Sequence, residues 1–178
     1  MVTPQQLDDL ALQSRKRGIP IIGPEKAAWL LKLIQQTKPK RILELGTANG
    51  YSGLLLSSEG GELTTIEMNE TIATEAKENF QKWNRDVQVI VGDAVTVLAA
   101  LAQEKQEWFD FIFIDFAKKK YLSVLNDCLL LVRKGGCIVA DNITMAGCAD
   151  FREAVRLHPL LETEFISIGD GLSCSRKI

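Results

Sequence analysis

Short apolar runs alternate with amphipathic stretches along this chain, and Gly, Pro or Asn stands at many of the joints. Arg41–Leu45 (RILEL), Leu63–Glu67 (LTTIE), Val87–Val91 (VQVIV), Phe109–Asp115 (FDFIFID) and Cys137–Ala140 (CIVA) read as strands, the last entered through a Gly135–Gly136 turn. Tyr51–Ser58, a stretch capped by Asn69 and ending near Trp83, a stretch from Asp93 to about Ala102, Lys118–Val132 and Asp150–Leu157 read as helices. Strand alternating with helix predicts βαβ units and a parallel sheet, and the near-continuous apolarity of the strands predicts cover on both faces. The ends differ. Pro4–Arg17 and Pro24–Gln36 read as two helices ahead of the first strand, the second started by Pro24. Leu161–Ile168 and Leu172–Ile178 flank Gly169-Asp170-Gly171 and predict an antiparallel hairpin.

No repeat, linker or low-complexity stretch interrupts this pattern, so residues 1–178 are expected to form one domain, with helices over 1–36 and a core over 37–178. A net charge of −2 and a pI near 5.5 offer no general attraction to nucleic acid or an anionic membrane. No apolar run reaches the roughly 18 residues of a membrane span. Gln5, Gln6, Asp8 and Asp9 do not read as a signal peptide. Cys128, Cys137, Cys148 and Cys174 have no CxxC or framework spacing and read as incidental thiols of a reducing cytoplasm. His158 is the sole histidine, which excludes multi-histidine zinc sites and argues against a Ser-His-Asp hydrolase.

Candidate chemistry begins where the first strand turns into a helix. Glu44-Leu45-Gly46-Thr47-Ala48-Asn49-Gly50 carries glycines that let backbone approach a ligand, at the strand edge where open α/β sheets bind one. Glu67 ends the next strand, 21 residues after Gly46, a spacing that suits an acid accepting from ribose hydroxyls. GxGxxG is absent because position 48 is Ala, and Glu44 repels a phosphate while welcoming a cation. S-adenosylmethionine, with its sulfonium and ammonium, therefore fits better than NAD. The plainer reading is a tight strand–helix turn without a ligand.

A second constellation lies further along. The fourth strand ends at Asp115 and the fifth at Asp141-Asn142. If these strands are neighbours, their ends lie about 5 Å apart. Two carboxylates and an amide then form an all-oxygen set suited to Mg²⁺ or a similar hard divalent cation. Lys118, three residues after Asp115, is placed to accept a proton from a hydroxyl there. The plainer readings remain open: strand-ending acids also cap turns, and Lys118-Lys119-Lys120 also reads as a solvated helix face.

At these residues the chain resembles the metal-dependent O-methyltransferases, which include catechol and caffeoyl-CoA O-methyltransferases and short prokaryotic relatives. IPIIGPEKAAWLL, KPKRILELGTANGYS, TTIEMNE, VGDA, FDFIFIDFAKKKY, GGCIVADNI and the closing GDGLSCSRKI resemble the family's segments in order and spacing. The resemblance implies a Rossmann-like class I methyltransferase fold, α/β, with a seven-stranded mostly parallel sheet, an antiparallel C-terminal hairpin and helices on both faces. It implies that Glu44, Gly46, Thr47 and Ser52 hold the methionine part of S-adenosylmethionine, with Ile22 and Gly23 over the same end. Glu67 would bind the ribose and Asp93-Ala94 flank the adenine. Asp115, Asp141 and Asn142 match the metal ligands, and Lys118 the general base.

The implied activity is metal-assisted methylation of a hydroxyl on a small catechol-like aromatic. The chain lacks most of the N-terminal extension that covers the acceptor in plant enzymes, and Phe116-Ala117 replaces the bulkier aromatic pair of the animal catechol enzyme. Methylation of a hydroxyuridine in tRNA is an alternative, supported by Arg15-Lys16-Arg17 and by Lys38, Lys40 and Arg41. A nucleotide-binding module without catalysis is another. Leu7, Leu10, Leu12, Trp29, Leu30 and Leu33, together with the family's habit, predict a homodimer.

Overall fold

The alternation is realised in a computed structural model that describes the backbone of residues 4–178 and the side chains of residues 7–178. Seven strands form one sheet in the order β3-β2-β1-β4-β5-β7-β6. The chain divides into two compact units, Met1–Gly92 and Asp93–Ile178.

The first unit holds α1 (Pro4–Lys16), α2 (Pro24–Thr37), β1 (Arg41–Leu45), α3 (Tyr51–Leu56), β2 (Glu62–Glu67), α4 (Glu70–Lys82) and β3 (Val87–Val91). β1 and β2 run parallel, as do β2 and β3. Ile42, Leu43 and Leu45 are fully buried, as expected of a strand covered on both faces. Asn69 caps α4 as predicted, its side chain accepting from Ile72 N–H at 3.1 Å. α4 packs on β2 and β3, and places Phe80 against α3. A Cβ at Gly53 would stand 2.7 Å from Phe80 Cζ, so the absent side chain is what admits the ring.

The second unit holds α5 (Ala94–Glu104), β4 (Phe109–Ile114), α6 (Tyr121–Leu131), β5 (Val132–Asp141), α7 (Ala149–Leu157), β6 (Leu161–Ile166) and β7 (Leu172–Lys177). β4 and β5 are parallel neighbours, and β7 runs antiparallel to both β5 and β6, so the predicted hairpin forms. Two expectations need adjustment. Lys118–Lys120 is a 3₁₀ turn that precedes α6 and is not its first turn. Gly135–Gly136 does not separate helix from strand. β5 already begins at Val132 and carries the glycines as an irregularity, with Phe109 opposite Val132 but Phe111 opposite Cys137. Gly135 has φ +77°, and a Cβ at Gly136 would lie 2.8 Å from the Asp110 carbonyl oxygen. The glycines thus let extra chain fold against β4 without leaving the sheet. Among the described residues, no helix is long and apolar enough to cross a membrane.

Candidate active site

In the first unit, the glycine loop is held from below by β2. Gly46 and Thr47 N–H both donate to the Ile66 carbonyl, at 3.0 and 3.2 Å. Gly46, Ala48 and Gly50 all have positive φ, +101°, +45° and +91°. The loop therefore needs left-handed backbone at the position where Ala48 interrupts the glycine pattern. Glu67 locks this loop, since its Oε2 accepts from Ala48 N–H and its Oε1 from Asn69 N–H, each at 3.0 Å. A carboxylate offers about four lone-pair sites, so acceptor capacity remains for hydroxyls of a ligand.

Glu44 is fully buried. It pairs with Thr65 in the β1–β2 register, and Thr65 Oγ1 donates to Glu44 Oε2 at 2.6 Å. Thr47 Oγ1 lies 2.6 Å from the same Thr65 hydroxyl. Glu44 and Thr47 are thus joined through Thr65, a residue the sequence reading missed; its only signal is a hydroxyl inside the otherwise apolar half of LTTIE. Ile22 is buried beside the N-terminus of α2, Gly23 caps that helix, and Ser52 is buried in α3. An open depression of about 660 Å³ in this unit is lined by Arg17, Glu70, Thr71, Thr74, Glu75 and Glu78, and includes no predicted site residue.

In the second unit, Ile114 of β4 stands opposite Ala140 of β5, so Asp115 and Asp141 follow at adjacent strand ends. Asp141 is 2% exposed, and its Oδ1 accepts from Asn142 N–H at 2.7 Å. Asn142 has φ +58°, and its Nδ2 donates to Asp170 Oδ2 at 2.6 Å. Asp170 is the second residue that sequence reasoning missed as part of the site, having read it as a turn residue only.

Lys118 Nζ donates to Asp115 Oδ1 at 2.5 Å. The three lysines are therefore not equivalent: Lys118 is turned onto Asp115, Lys120 pairs with Asp93 at 3.1 Å, and Lys119 is exposed. Asp93 precedes α5 and Ala94 opens it. Tyr121 is fully buried, donates to the Ile114 carbonyl at 3.1 Å and stacks on Phe116. Burial, then the charges at Asp115, Cys148 and Asp141, push its phenol far above the usual range. Both carboxylates thus act on one buried ring.

The donors at Asp115, Asp141 and Asn142 are all oxygen, which suits a hard cation. Among the described residues no group of three or more His, Cys, Asp or Glu is placed to hold a metal. In Asn142 the NH₂ end of the amide is the one that donates to Asp170.

The profile of the O-methyltransferase family matches residues 4–178. The chain belongs to this family. A catechol O-methyltransferase from Niastella koreensis is 36% identical over 137 residues, 73% of this chain and 62% of that protein. The catechol O-methyltransferase of Mus musculus is 29% identical over 175 residues, 89% of this chain and 66% of that protein. The chain thus spans less than two thirds of the length of both. An O-methyltransferase from Bacillus cereus, solved in complex with SAH, superposes with a TM-score of 0.87 at 27% identity, covering 99% of this chain and 92% of that one. Family membership accords with the seven-stranded sheet and its antiparallel end.

Proposed function

We propose that this chain transfers a methyl group from S-adenosylmethionine to a hydroxyl of a small catechol-like aromatic, with Mg²⁺ or a similar divalent cation held by Asp115, Asp141 and Asn142. The observation that carries this reading is the all-oxygen set at the ends of β4 and β5, with Lys118 Nζ 2.5 Å from Asp115. The relatives named as catechol O-methyltransferases support the acceptor class.

In this reading Glu67 binds the ribose hydroxyls, and Glu44, Gly46, Thr47 and Ser52 hold the methionine portion, with Ile22 and Gly23 at the same end. Asp93 and Ala94 flank the adenine. S-adenosylmethionine supplies the methyl on a sulfonium, which becomes a thioether as the methyl moves to oxygen. The cation, when bound, supplies Lewis acidity that favours ionisation of a neighbouring hydroxyl. Lys118 Nζ, once its own proton has passed to solvent, takes the proton from the acceptor hydroxyl, and Asp115 Oδ1, 2.5 Å away, accepts from the ammonium so formed. The remaining acceleration comes from holding acceptor oxygen and methyl in line.

The tRNA alternative is less favoured, because Arg17 of the basic cluster is spent on Glu75, at 2.6 and 2.8 Å, beside Glu70 and Glu78. A homodimer and a cytoplasmic location remain part of the proposal. Of the apolar positions on the two N-terminal helices, Leu10 and Leu30 are buried within the chain, Leu7, Trp29 and Leu33 are partly exposed and Leu12 is half exposed, so these last four are the ones offered to a partner.

The test is transfer of labelled methyl to a panel of catechols and to bulk tRNA, with Mg²⁺ and with EDTA. Label in catechols that disappears in EDTA is the expected result. Label in tRNA instead moves the substrate class, and undiminished transfer in EDTA rejects the cation. Tight binding of S-adenosylhomocysteine with no transfer to either acceptor leaves a non-catalytic module.

A further inference from the structure

The turn between β6 and β7 reaches back to the strand end that carries Asn142. Asp170 Oδ2 accepts from Asn142 Nδ2 at 2.6 Å. The same residue's carbonyl accepts from Thr144 N–H at 3.0 Å and from Thr144 Oγ1 at 2.8 Å, and the Gly171 carbonyl accepts from Ile143 N–H at 3.2 Å. The segment after β5 is therefore bonded to the hairpin turn at three consecutive residues.

Gly171 makes this approach possible. Its φ is +77°, and a Cβ there would lie 2.9 Å from Ile143 Cγ2 and 3.0 Å from Thr144 Cγ2. Asn142 itself holds left-handed backbone at φ +58°, a conformation that asparagine adopts more readily than most non-glycine residues. An amide side chain has two ends that differ only in hydrogen-bond sense. A carboxylate at 2.6 Å selects the NH₂ end and turns Oδ1 the other way. Without that partner, rotation about the terminal torsion costs little and the oxygen is not fixed.

We propose that Asp170 is a positioning residue for the divalent cation: by accepting from Asn142 Nδ2 it orients Asn142 Oδ1 as a metal ligand. This rests on the reading of Asp115, Asp141 and Asn142 as the cation site. Partners that orient metal ligands typically change metal affinity about 10- to 100-fold when removed. Asp170 acts through geometry, so an asparagine, whose Oδ1 also accepts, should replace it.

The test uses Mn²⁺ as the probe, titrated into the full chain and followed by the paramagnetic resonance signal of free Mn²⁺. Asp170→Ala is expected to weaken Mn²⁺ about 10-fold or more, while Asp170→Asn stays within about threefold of the parent. Asp170→Glu keeps the charge but displaces the carboxylate, and is expected to weaken binding like the alanine variant. Thr144→Val loses only the hydroxyl bond to the Asp170 carbonyl and is expected to bind Mn²⁺ as the parent does. Should Asp170→Ala fail to fold, the Asn and Glu variants decide alone. Equal affinity of Asp170→Ala or Asp170→Glu and the parent overturns the proposal. An equal loss in Asp170→Asn and Asp170→Ala also overturns it, because charge and not orientation is then responsible. A parent that binds no Mn²⁺ is a distinct result, which rejects the cation site and this role with it.

Discussion

Thr65 stands opposite Glu44 in the parallel register of β1 and β2, and its hydroxyl donates to the buried carboxylate at 2.6 Å. A fully buried carboxylate needs such donors, because an apolar surrounding leaves its charge without solvation. Thr65→Val is nearly isosteric but removes the donor, and breaks the link to Thr47 as well. The expected cost is about 1–3 kcal/mol in urea unfolding, with Thr65→Ser close to the parent. A valine variant as stable as the parent would show that this bond contributes nothing.

Ala48 occupies left-handed backbone, φ +45°, between Gly46 and Gly50. Glycine adopts this conformation without a Cβ penalty. Ala48→Gly is therefore expected to raise stability by about 0.5–1 kcal/mol, the reverse of the usual sign for Ala→Gly. Thermal melting checks it, and a loss of stability refutes it.

Glu67 ties the glycine loop to β2 through Ala48 N–H and still faces solvent in part. Glu67→Ala removes the loop anchor and the proposed ribose acceptor together. Calorimetry is expected to show S-adenosylhomocysteine affinity down at least tenfold, about 1.4 kcal/mol. Unchanged affinity excludes Glu67 from the cofactor site.

Lys118 tests the proposed base. Lys118→Ala leaves the three proposed cation ligands in place and is expected to lower turnover about 10²-fold or more. The loss should shrink as the acceptor hydroxyl becomes more acidic, since an acceptor already ionised needs no base. A loss of the same size for every acceptor assigns Lys118 to binding instead.

Cys137 of β5 and Cys174 of β7 lie diagonally across an antiparallel pair, with Val139 opposite Cys174 and Arg176 opposite Cys137. A hydrogen bond from Cys174, opposed by burial and aided by Arg176 and Arg133, lowers the Cys137 thiol to about 7. The reactive form is the thiolate, so alkylation of Cys137 by iodoacetamide should rise as pH passes through about 7. Cys174→Ala removes the donor and should move that midpoint upward. A midpoint that stays put means the bond is not the cause.

The order of strands and helices was legible in the chain because apolar period and turn residues are local properties. RILEL and VQVIV bound their strands to the residue, and Asn69 marked its helix through a side chain that reaches only three positions along. The acids at the strand ends were legible for the same reason. A parallel strand in an open sheet ends at the ligand edge, so Glu67, Asp115 and Asp141 could be placed there before any packing was known. What surrounds those acids was decided by tertiary structure. Thr65 supports Glu44 because two strands align in one register, and Asp170 reaches Asn142 across 28 residues because β7 inserts beside β5. Lys118 pairs with Asp115 and Lys120 with Asp93, although both belong to the same three-residue 3₁₀ turn. Gly135–Gly136, read as a turn, lies within β5, where the Asp110 carbonyl leaves no room for a side chain at Gly136. Each of these depends on which backbone stands within a few ångströms, and a linear pattern carries that distance only after the sheet has formed.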